Sequence, residues 1–317
     1  MPMDLSQLNE LSDLTEQIRI DPTQAIGIPI ALLGAVFLSF GTQYQSRGVG
    51  KVEQTSGRSS KSGLDLRHLL ALFTRPSWVI GTLLLGLAIV LQLTSLNLAP
   101  LTVVQPLGAV ALVITAVLNA RISKVRLGGG AIRAIAFCVG GVALFVTVAA
   151  LTAVDPRVTD EHLVTILIVL AVVGLLLGGA WVALRHRVAA LFYILAAGVL
   201  YGFVATLAKV VIGRITQGDF EWLTVLCIVG LLLAAALGGY FVQTAYSSGP
   251  PDLVIAGLTV IDPIVAVVIG IVVLGEASQA PPIAGVLFAA AGAIAIYGVF
   301  QLAKHHPQVA SAEAREP

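Results

Sequence analysis

Nine apolar segments of about twenty residues recur along the chain, separated by short polar or proline- and glycine-rich breaks. A helix of about 20 residues, rising 1.5 Å per residue, crosses the ~30 Å hydrocarbon layer of a bilayer. An isolated apolar segment satisfies its backbone in lipid only as a helix, so each run is predicted to be a transmembrane span. We place the spans near residues 26–46, 77–98, 101–119, 131–152, 162–184, 189–212, 222–246, 253–274 and 281–303.

The composition agrees with lipid as the solvent and excludes several functional classes. Hydrophobic residues make up 57% of the chain and charged residues 11%, and the mean hydropathy is +0.96, whereas soluble domains carry about 25% charged residues. A formal net charge of +1 gives no signal for a nucleic-acid partner. The sequence holds no Walker A, HExxH or GxSxG motif and no set of span residues able to act as nucleophile and base, so neither an enzyme nor a cofactor is expected.

The distribution of basic residues predicts the orientation. Of eighteen Lys and Arg residues, Arg133 and Lys209 fall inside the spans, and Arg19, Arg157 and Arg214 lie on the side of the N-terminus, which leaves thirteen for the opposite side. Cytoplasmic loops carry the excess of Lys and Arg. The N-terminus is therefore predicted outside and the C-terminus in the cytoplasm, in a multi-pass protein of the plasma membrane.

The segments outside the spans complete the predicted organisation. Residues 1–25 are predicted to be an extracytoplasmic segment with an apolar helical face, 47–76 a cytoplasmic loop with a candidate partial helix at 64–73, and 304–317 a cytoplasmic tail. Residues 26–152 form a first transmembrane repeat, 162–184 a linking span and 189–303 a second repeat. The single cysteines Cys138 and Cys227 are expected to be buried packing residues.

A duplicated hexapeptide indicates the relation between these halves. LTVVQP at 101–106 returns as LTVIDP at 258–263, and seven of fourteen positions from Leu101 to Ile114 are identical in the second copy. Span three and span eight cross the membrane in opposite directions. The predicted fold is therefore an all-α bundle of nine transmembrane helices with an inverted-topology repeat, spans 1–4 and 6–9, joined by span 5.

Motifs in both halves resemble a known transporter superfamily. In the first half, a W-x-x-G opening, an A-P ending and a V-x-P-L-G-A segment follow one another, and the second half contains P…LGE…G…G. This order of motifs resembles the drug/metabolite transporter superfamily with its EamA-like repeats. Within that superfamily it is most similar to the NIPA-type, magnesium-transporter-like branch. The residues are Trp78, Gly81, Ala99, Pro100, Val104 to Ala109, Pro263, Gly275, Glu276, Gly285 and Gly292. Asn119 stands where the second repeat has Glu276. The resemblance implies a nine-span secondary transporter with a site between the halves.

Asp262 is the strongest candidate for a binding residue. It lies ten residues into span eight, about 14 Å deep at 1.5 Å per residue. An ionised carboxylate there costs at least about 2.5–3.5 kcal/mol, so a cavity or a partner is expected beside it, the alternative being an Asp neutralised by hydrogen bonds in the bundle. Gln105 is its counterpart. Pro106 and Pro263 follow them and are expected to loosen their helices and expose carbonyl groups.

The other polar span residues leave alternatives open. Lys209, near the outer end of span six, either reaches the interface with its long stem or approaches Asp262, although their depths differ. Gln92 and Gln243 are repeat-related candidates for the site or for helix–helix hydrogen bonds. Glu276 is expected at a solvated helix end, and His305 and His306 in the tail are not expected to bind metal.

Several functions fit these residues. A proton-coupled carrier of a small solute needs one titratable acid in a cavity, which Asp262 supplies. A magnesium or other divalent-cation carrier would use Asp262 with glutamine and backbone oxygens, because Mg²⁺ keeps waters and binds one or two acids. A translocase of lipid-linked sugars and a membrane protein without transport activity remain further alternatives. The expected partners are the lipid bilayer and a small solute or cation.

Overall fold

The computed structural model describes residues 22–56, 74–122, 128–184, 190–249 and 251–304. Within these ranges the chain is helical, without strands, and every helix is long and apolar enough to cross a membrane. The predicted all-α, nine-span fold is confirmed for these residues. The helices are α1 (Pro22–Ser56), α2 (Pro76–Leu98), α3 (Leu101–Ile122), α4 (Gly129–Thr152), α5 (Asp160–Leu184), α6 (Ala190–Gln217), α7 (Trp222–Ser248), α8 (Pro251–Val272) and α9 (Pro282–Lys304).

Two helices are longer than the hydropathy pattern predicts. α1 continues to Ser56, into the segment expected to be a loop, and α6 continues to Gln217. Polar residues do not stop a helix where no proline or cap interrupts its backbone hydrogen bonds. The second extension matters for the site, because it places Lys209 two turns inside α6 rather than beside its end. The predicted partial helix at 64–73, most of the N-terminal segment and the pair His305 and His306 lie outside the described residues.

The turn between α2 and α3 is unusually short. Ala99 has an extended backbone, with φ −147° and ψ 154°, as expected for a residue before a proline. Pro100 follows it, and α3 begins at once with Leu101. The last carbonyl groups of α2 and the first amide groups of α3 therefore lie side by side in one buried turn.

The helices of the two halves have equivalent neighbours. In the first half α1 packs against α2 and α3, and α3 contacts α4; in the second half α6 packs against α7 and α8, and α8 contacts α9. Between the halves α3 contacts α8 and α4 packs along α9. These relations are those expected of the predicted repeat, whose superposition about an axis in the membrane plane stays a prediction.

Small residues bring the helices of this bundle close together. Gly141 and Gly298 lie at the contact between α4 and α9, where the backbones of Ala295 and Cys138 leave no room for a side chain. Close approach through small residues is the usual basis of helix association in lipid, where apolar side chains gain little by leaving the solvent. Large apolar side chains instead face outward on α5 and α7, among them Leu175, Leu176 and Leu232. The core thus lies between the two halves, where the polar span residues also lie.

We call the end of the bundle at which α1 begins the first end, and the opposite end the second end. The α2–α3 turn, the loop from α4 to α5, the end of α6 and the loop from α8 to α9 all lie at the first end. By the distribution of basic residues, the first end is the one predicted to face outward.

Candidate functional site

The duplicated segments lie next to each other in the middle of the bundle. Gln105 and Pro106 on α3 contact the region of Asp262 and Pro263 on α8, since both proline segments border the same cavities between these helices. Proline has no N–H group, so Pro263 cannot donate the helical hydrogen bond that would reach the carbonyl of Thr259, and Pro106 likewise leaves the carbonyl of Thr102 without that donor. Each duplicated segment therefore brings a helix with a missing hydrogen bond and a polar side chain to the contact between α3 and α8.

A cavity of about 370 Å³ is lined by four of the predicted site residues, of which three are polar and the fourth is Pro263. Asp262, Gln105 and Gln92 line it together with Tyr201, which belongs to α6. The rest of its wall is small or aliphatic: Gly34, Ala35, Leu38, Ala88, Ile89, Gly108, Ala111, Leu258, Thr259 and Pro263. One carboxyl group, two amides and one phenol thus converge on a space large enough for a small solute.

The carboxyl group of Asp262 is incompletely satisfied by the protein. Its Oδ1 is buried without a hydrogen-bond partner among the described residues. The backbone around it is tightly packed, because a Cβ atom added at Gly202 on α6 would lie 2.6 Å from Cβ of Val265 and 3.0 Å from the carbonyl oxygen of Asp262. Buried polar atoms are nearly always paired, so the unpaired oxygen makes Asp262 the first candidate for ligand binding among the residues that line the cavity.

Lys209 does not pair with Asp262, and it does not reach the interface as a free amine. Its Nζ donates hydrogen bonds to the carbonyl oxygens of Leu96 and Ala99 at 3.0 and 2.9 Å, and lies 2.9 Å from Oδ1 of Asp155. The residue is 5% exposed. Lys209 is therefore outside the Asp262 cavity, in a polar cavity of about 240 Å³ that it lines with Asp155, nearer the first end.

The expectation for Glu276 is wrong. Its side chain is completely buried, and its two carboxylate oxygens accept hydrogen bonds from the backbone nitrogens of Leu101 and Thr102 at 2.7 and 2.8 Å. Burial raises the pKa of this carboxyl group, while Lys209 and the two amide hydrogen bonds lower it. The reason is a turn after α8 at Gly275, whose positive φ of 71° is a conformation that favours glycine.

The sequence-based prediction for Glu276 failed because it assumed that residues beyond the end of an apolar segment are exposed to solvent. The turn after α8 instead folds back over the start of α3, and the backbone nitrogen of Val154 donates to the carbonyl oxygen of Glu276 at 2.8 Å. The Gly275–Glu276 pair was visible in the sequence as part of the resemblance motif. Its glycine, at a position that ends a helix, was the available signal for a turn.

The two repeat-related glutamines are not equivalent in the structure. Gln92 on α2 lines the Asp262 cavity, whereas Gln243 on α7 is exposed at the surface of the bundle. Tyr201 was missed as a site residue. The repeat offset aligns it with Phe37, and only its phenol group distinguishes the second copy, a signal too weak to select it without the structure.

Two arginines at the first end form ion pairs. Arg214, which the sequence placed outside the spans on the side of the N-terminus, is 6% exposed; its guanidinium group lies 2.7 Å from Asp160 and 3.7 Å from Asp219. Arg157 is exposed and lies 3.0 Å from Asp219. These pairs explain how the first end accommodates charge without contributing to the Asp262 cavity.

The neighbouring cavity between α3 and α8 differs in its chemistry. A cavity of about 390 Å³ on the other side of the α3–α8 contact has apolar walls apart from Thr259, with Phe145 and Phe288 among them. In the described part of the chain, no group of three or more His, Cys, Asp or Glu residues could hold a metal ion. A cation in the Asp262 cavity would therefore meet one acid and neutral oxygen donors.

Comparisons with known proteins agree with the resemblance seen in the sequence. The family described as "Magnesium transporter NIPA" matches residues 23–172, a region that contains α1 to α4 and the first part of α5. An uncharacterized protein of Corynebacterium glutamicum is 27% identical over 262 residues, covering 80% of this chain and 86% of that protein. No solved structure matches.

The family match and the nine apolar helices identify the broad class. The resemblance to the NIPA-type branch is confirmed over residues 23–172. Because that family consists of transporters, the match also supports the expectation that the chain is not an enzyme. The chain is a multi-pass membrane protein of the transporter class.

Proposed function

We propose that this membrane transporter carries a small cationic solute by alternating access around the Asp262 cavity, with Asp262 exchanging the solute for a proton. The observation that supports the proposal most strongly is that Asp262 lines a cavity of about 370 Å³ while its buried Oδ1 has no protein partner in the described residues. A carboxylate at this depth is stable only with a counter-charge or a proton.

Because the carboxylate of Asp262 needs either a counter-charge or a proton, release of the solute is coupled to uptake of a proton. When the solute leaves, the carboxylate loses its counter-charge in a region of low polarity, so taking up a proton becomes the favourable way to neutralise it. Solute and proton thus compete for one group. A carrier whose binding acid must be occupied by one or the other exchanges the two across the membrane.

The neutral residues of the cavity suit recognition rather than charge balance. The amides of Gln92 and Gln105 can donate or accept hydrogen bonds, and Tyr201 supplies a phenol and an aromatic face. An aromatic ring near a carboxylate is favourable for a cation that has an apolar body. The adjacent aliphatic wall agrees with such a solute.

Magnesium or another hydrated divalent cation is the second candidate, and the family match over residues 23–172 favours it. Mg²⁺ keeps several waters and uses one or two carboxylates, so Asp262 would bind it directly or through water, with Gln92 and Gln105 contacting the hydration shell. Six waters at ~30 Å³ each occupy about 180 Å³. The cavity of about 370 Å³ therefore has room for the hydrated ion.

The same volume disfavours a lipid-linked sugar, because binding sites for larger ligands reach about 1,000 Å³. We place the protein in the plasma membrane, with the first end outside, from the excess of Lys and Arg on the opposite side.

Thermal stability of the purified protein tests the proposal. A ligand that binds only the folded protein raises its stability, by about 2.7 kcal/mol at 100 times Kd. The panel should contain Mg²⁺, Co²⁺, small organic ammonium ions, neutral amino acids and a polyprenyl-phosphate sugar. We expect a cation to stabilise the parent and to lose its effect in Asp262→Asn. Stabilisation by a neutral or anionic compound alone would exclude a cation carrier, and a response to Mg²⁺ without a response to ammonium ions would select the second candidate.

A further inference from the structure

We propose that the α2–α3 turn, held between Lys209 and Glu276, is the gate that closes the Asp262 cavity at the first end. This inference rests on the proposed alternating access and names the part of the protein that opens and closes. Lys209 and Glu276 belong to the second half of the chain, and the turn belongs to the first half. The contacts therefore join the two bodies that alternating access must separate at one end.

The charges of the gate match the dipoles of the turn. The final carbonyl groups of α2 carry partial negative charge and receive the ammonium group of Lys209, and the first amide groups of α3 carry partial positive charge and receive the carboxylate of Glu276. Four groups that helix ends leave without an internal partner are thus bound from the other half. Both side chains are almost completely buried, so the contacts are strong in the closed arrangement.

The gate lies between the cavity and the first end. Leu96 is one helical turn beyond Gln92 on α2, and Leu101 is one turn before Gln105 on α3. Lys209 is about two turns beyond Tyr201 on α6. On each of these helices, the gate residue follows the cavity residue in the direction of the first end. A path from the cavity to that end must pass the gate.

Contacts at the second end are of a different kind. There Gly48 lies against Trp78 and Gly81 against Gln45, both within the first half. In the second half, Gly249 lies against Ala190, and Gly257 lies against Ile194. Apart from the α4–α9 packing, these glycine contacts near the second end stay within one half of the described chain. At the first end, by contrast, the described contacts of Lys209 and Glu276 join the two halves, as expected of a closed gate.

Gly270 shows how closely the gate is fitted. A Cβ atom added at Gly270 on α8 would lie 2.7 Å from Oε2 of Glu276 and 3.3 Å from Cβ of Leu101. Gly270→Ala therefore pushes the carboxylate away from the start of α3 without removing its charge. Glu276→Gln disturbs the same contact in a different way, because the single amide oxygen of glutamine replaces the two carboxylate oxygens that accept the two N–H groups.

Cysteine labelling measures the state of the gate without any substrate. Gly108 lines the cavity, is exposed to it, and has nothing within 4 Å of an added Cβ, so Gly108→Cys introduces a reporter that fits. Cys138 and Cys227 are buried, and the protein without Gly108→Cys measures any background labelling of these two residues. The reagent is a membrane-impermeant thiol reagent, added to intact cells or to everted membranes. A second variant, Arg157→Cys, carries a cysteine at an exposed position of the first end. Its labelling with the same reagent shows which side of the membrane that end faces.

We expect the reporter in the parent to react at least about tenfold faster from the second-end side than from the first-end side, because closing contacts bias the population of states. Glu276→Gln and Gly270→Ala should each raise the rate from the first-end side by about tenfold or more. Two matched control variants should leave the labelling rate from the first-end side within about twofold of the parent rate. Arg157→Gln removes an exposed ion pair at the same end, and Gly285→Ala adds a methyl group where nothing lies within 4 Å.

If both gate variants are folded and monodisperse and the labelling rate from the first-end side is unchanged in both, the proposal of a gate is wrong. Loss of folding in both would also overturn it, by assigning Glu276 a structural role only. If just one variant fails to fold, the other decides. Failure of the proposed function is distinguishable, because it appears as stabilisation or transport independent of Asp262 and leaves the labelling rates as they are.

Discussion

The carboxylate of Glu276 lies 2.7 Å from the backbone nitrogen of Leu101, although 175 residues separate them along the chain. The contact joins a loop of the second half to the first residue of a helix in the first half. Lys209 makes the complementary contact with the end of the preceding helix, at Ala99. The short turn between two helices is therefore bound on both of its polar sides by the opposite half of the protein.

Asp262→Asn should abolish the pH dependence of ligand binding and leave folding intact. The amide keeps the shape of the side chain but cannot exchange a proton. In the parent, a proton competes with the cation for Asp262, so the apparent affinity for the cation should fall as the pH is lowered. The measurement is ligand-induced thermal stabilisation across a pH series. A variant that responds to ligand and pH like the parent would show that Asp262 is structural.

Gln105→Ala should weaken ligand binding and keep its pH dependence. Gln105 is 7% exposed and lines the same cavity as Asp262, but it carries no charge. Loss of one neutral hydrogen bond to a ligand costs about 0.5–1.5 kcal/mol, or roughly 2- to 13-fold in Kd. The same stabilisation assay gives the value. Gln243→Ala is the matched control, because Gln243 is exposed on α7 and should leave Kd unchanged.

Lys209→Met should destabilise the protein by about 1–3 kcal/mol, because it leaves the carbonyl oxygens of Leu96 and Ala99 without their donor. Asp155 is 36% exposed and is partly solvated once the lysine is gone, which limits the loss. Unfolding in denaturant, with the protein in detergent micelles, measures the change. Arg157→Gln, which breaks an exposed pair with Asp219, should cost no more than about 1 kcal/mol. Equal losses for the two variants would contradict the buried role of Lys209.

The predicted orientation is tested by thiol labelling of whole cells. A cysteine introduced at Ser12 should react with an impermeant reagent in intact cells, and one at Ser60 only after permeabilisation, because the thirteen Lys and Arg residues place that loop in the cytoplasm. The natural Cys138 and Cys227 are buried and should not react in either case. Reaction of position 60 in intact cells would reverse the orientation.

The position of the spans and the presence of a cavity beside Asp262 could be predicted from the sequence alone. Lipid requires long, uninterrupted apolar helices, so hydropathy placed most helix ends within a few residues. The duplicated hexapeptide placed Gln105 and Asp262 at equivalent depths, and an ionisable residue at that depth needs a cavity or a partner. Pro263 and Gln92 line the same cavity, whereas Pro106 borders the apolar cavity on the other side of the α3–α8 contact.

Only the tertiary structure decided which polar residues meet. Gln92 and Gln243 are equivalent in the repeat, yet one lines the cavity and the other is exposed, because the surface that a helix turns inward depends on its neighbours. Lys209 found its partners at Leu96, Ala99 and Asp155, all far from it in sequence. Hydropathy reports how deep a residue lies along the membrane normal, but carries no information about which helix lies beside it. Glu276 is the clearest case: the sequence placed it at the end of a span, and the fold buried it against the start of α3.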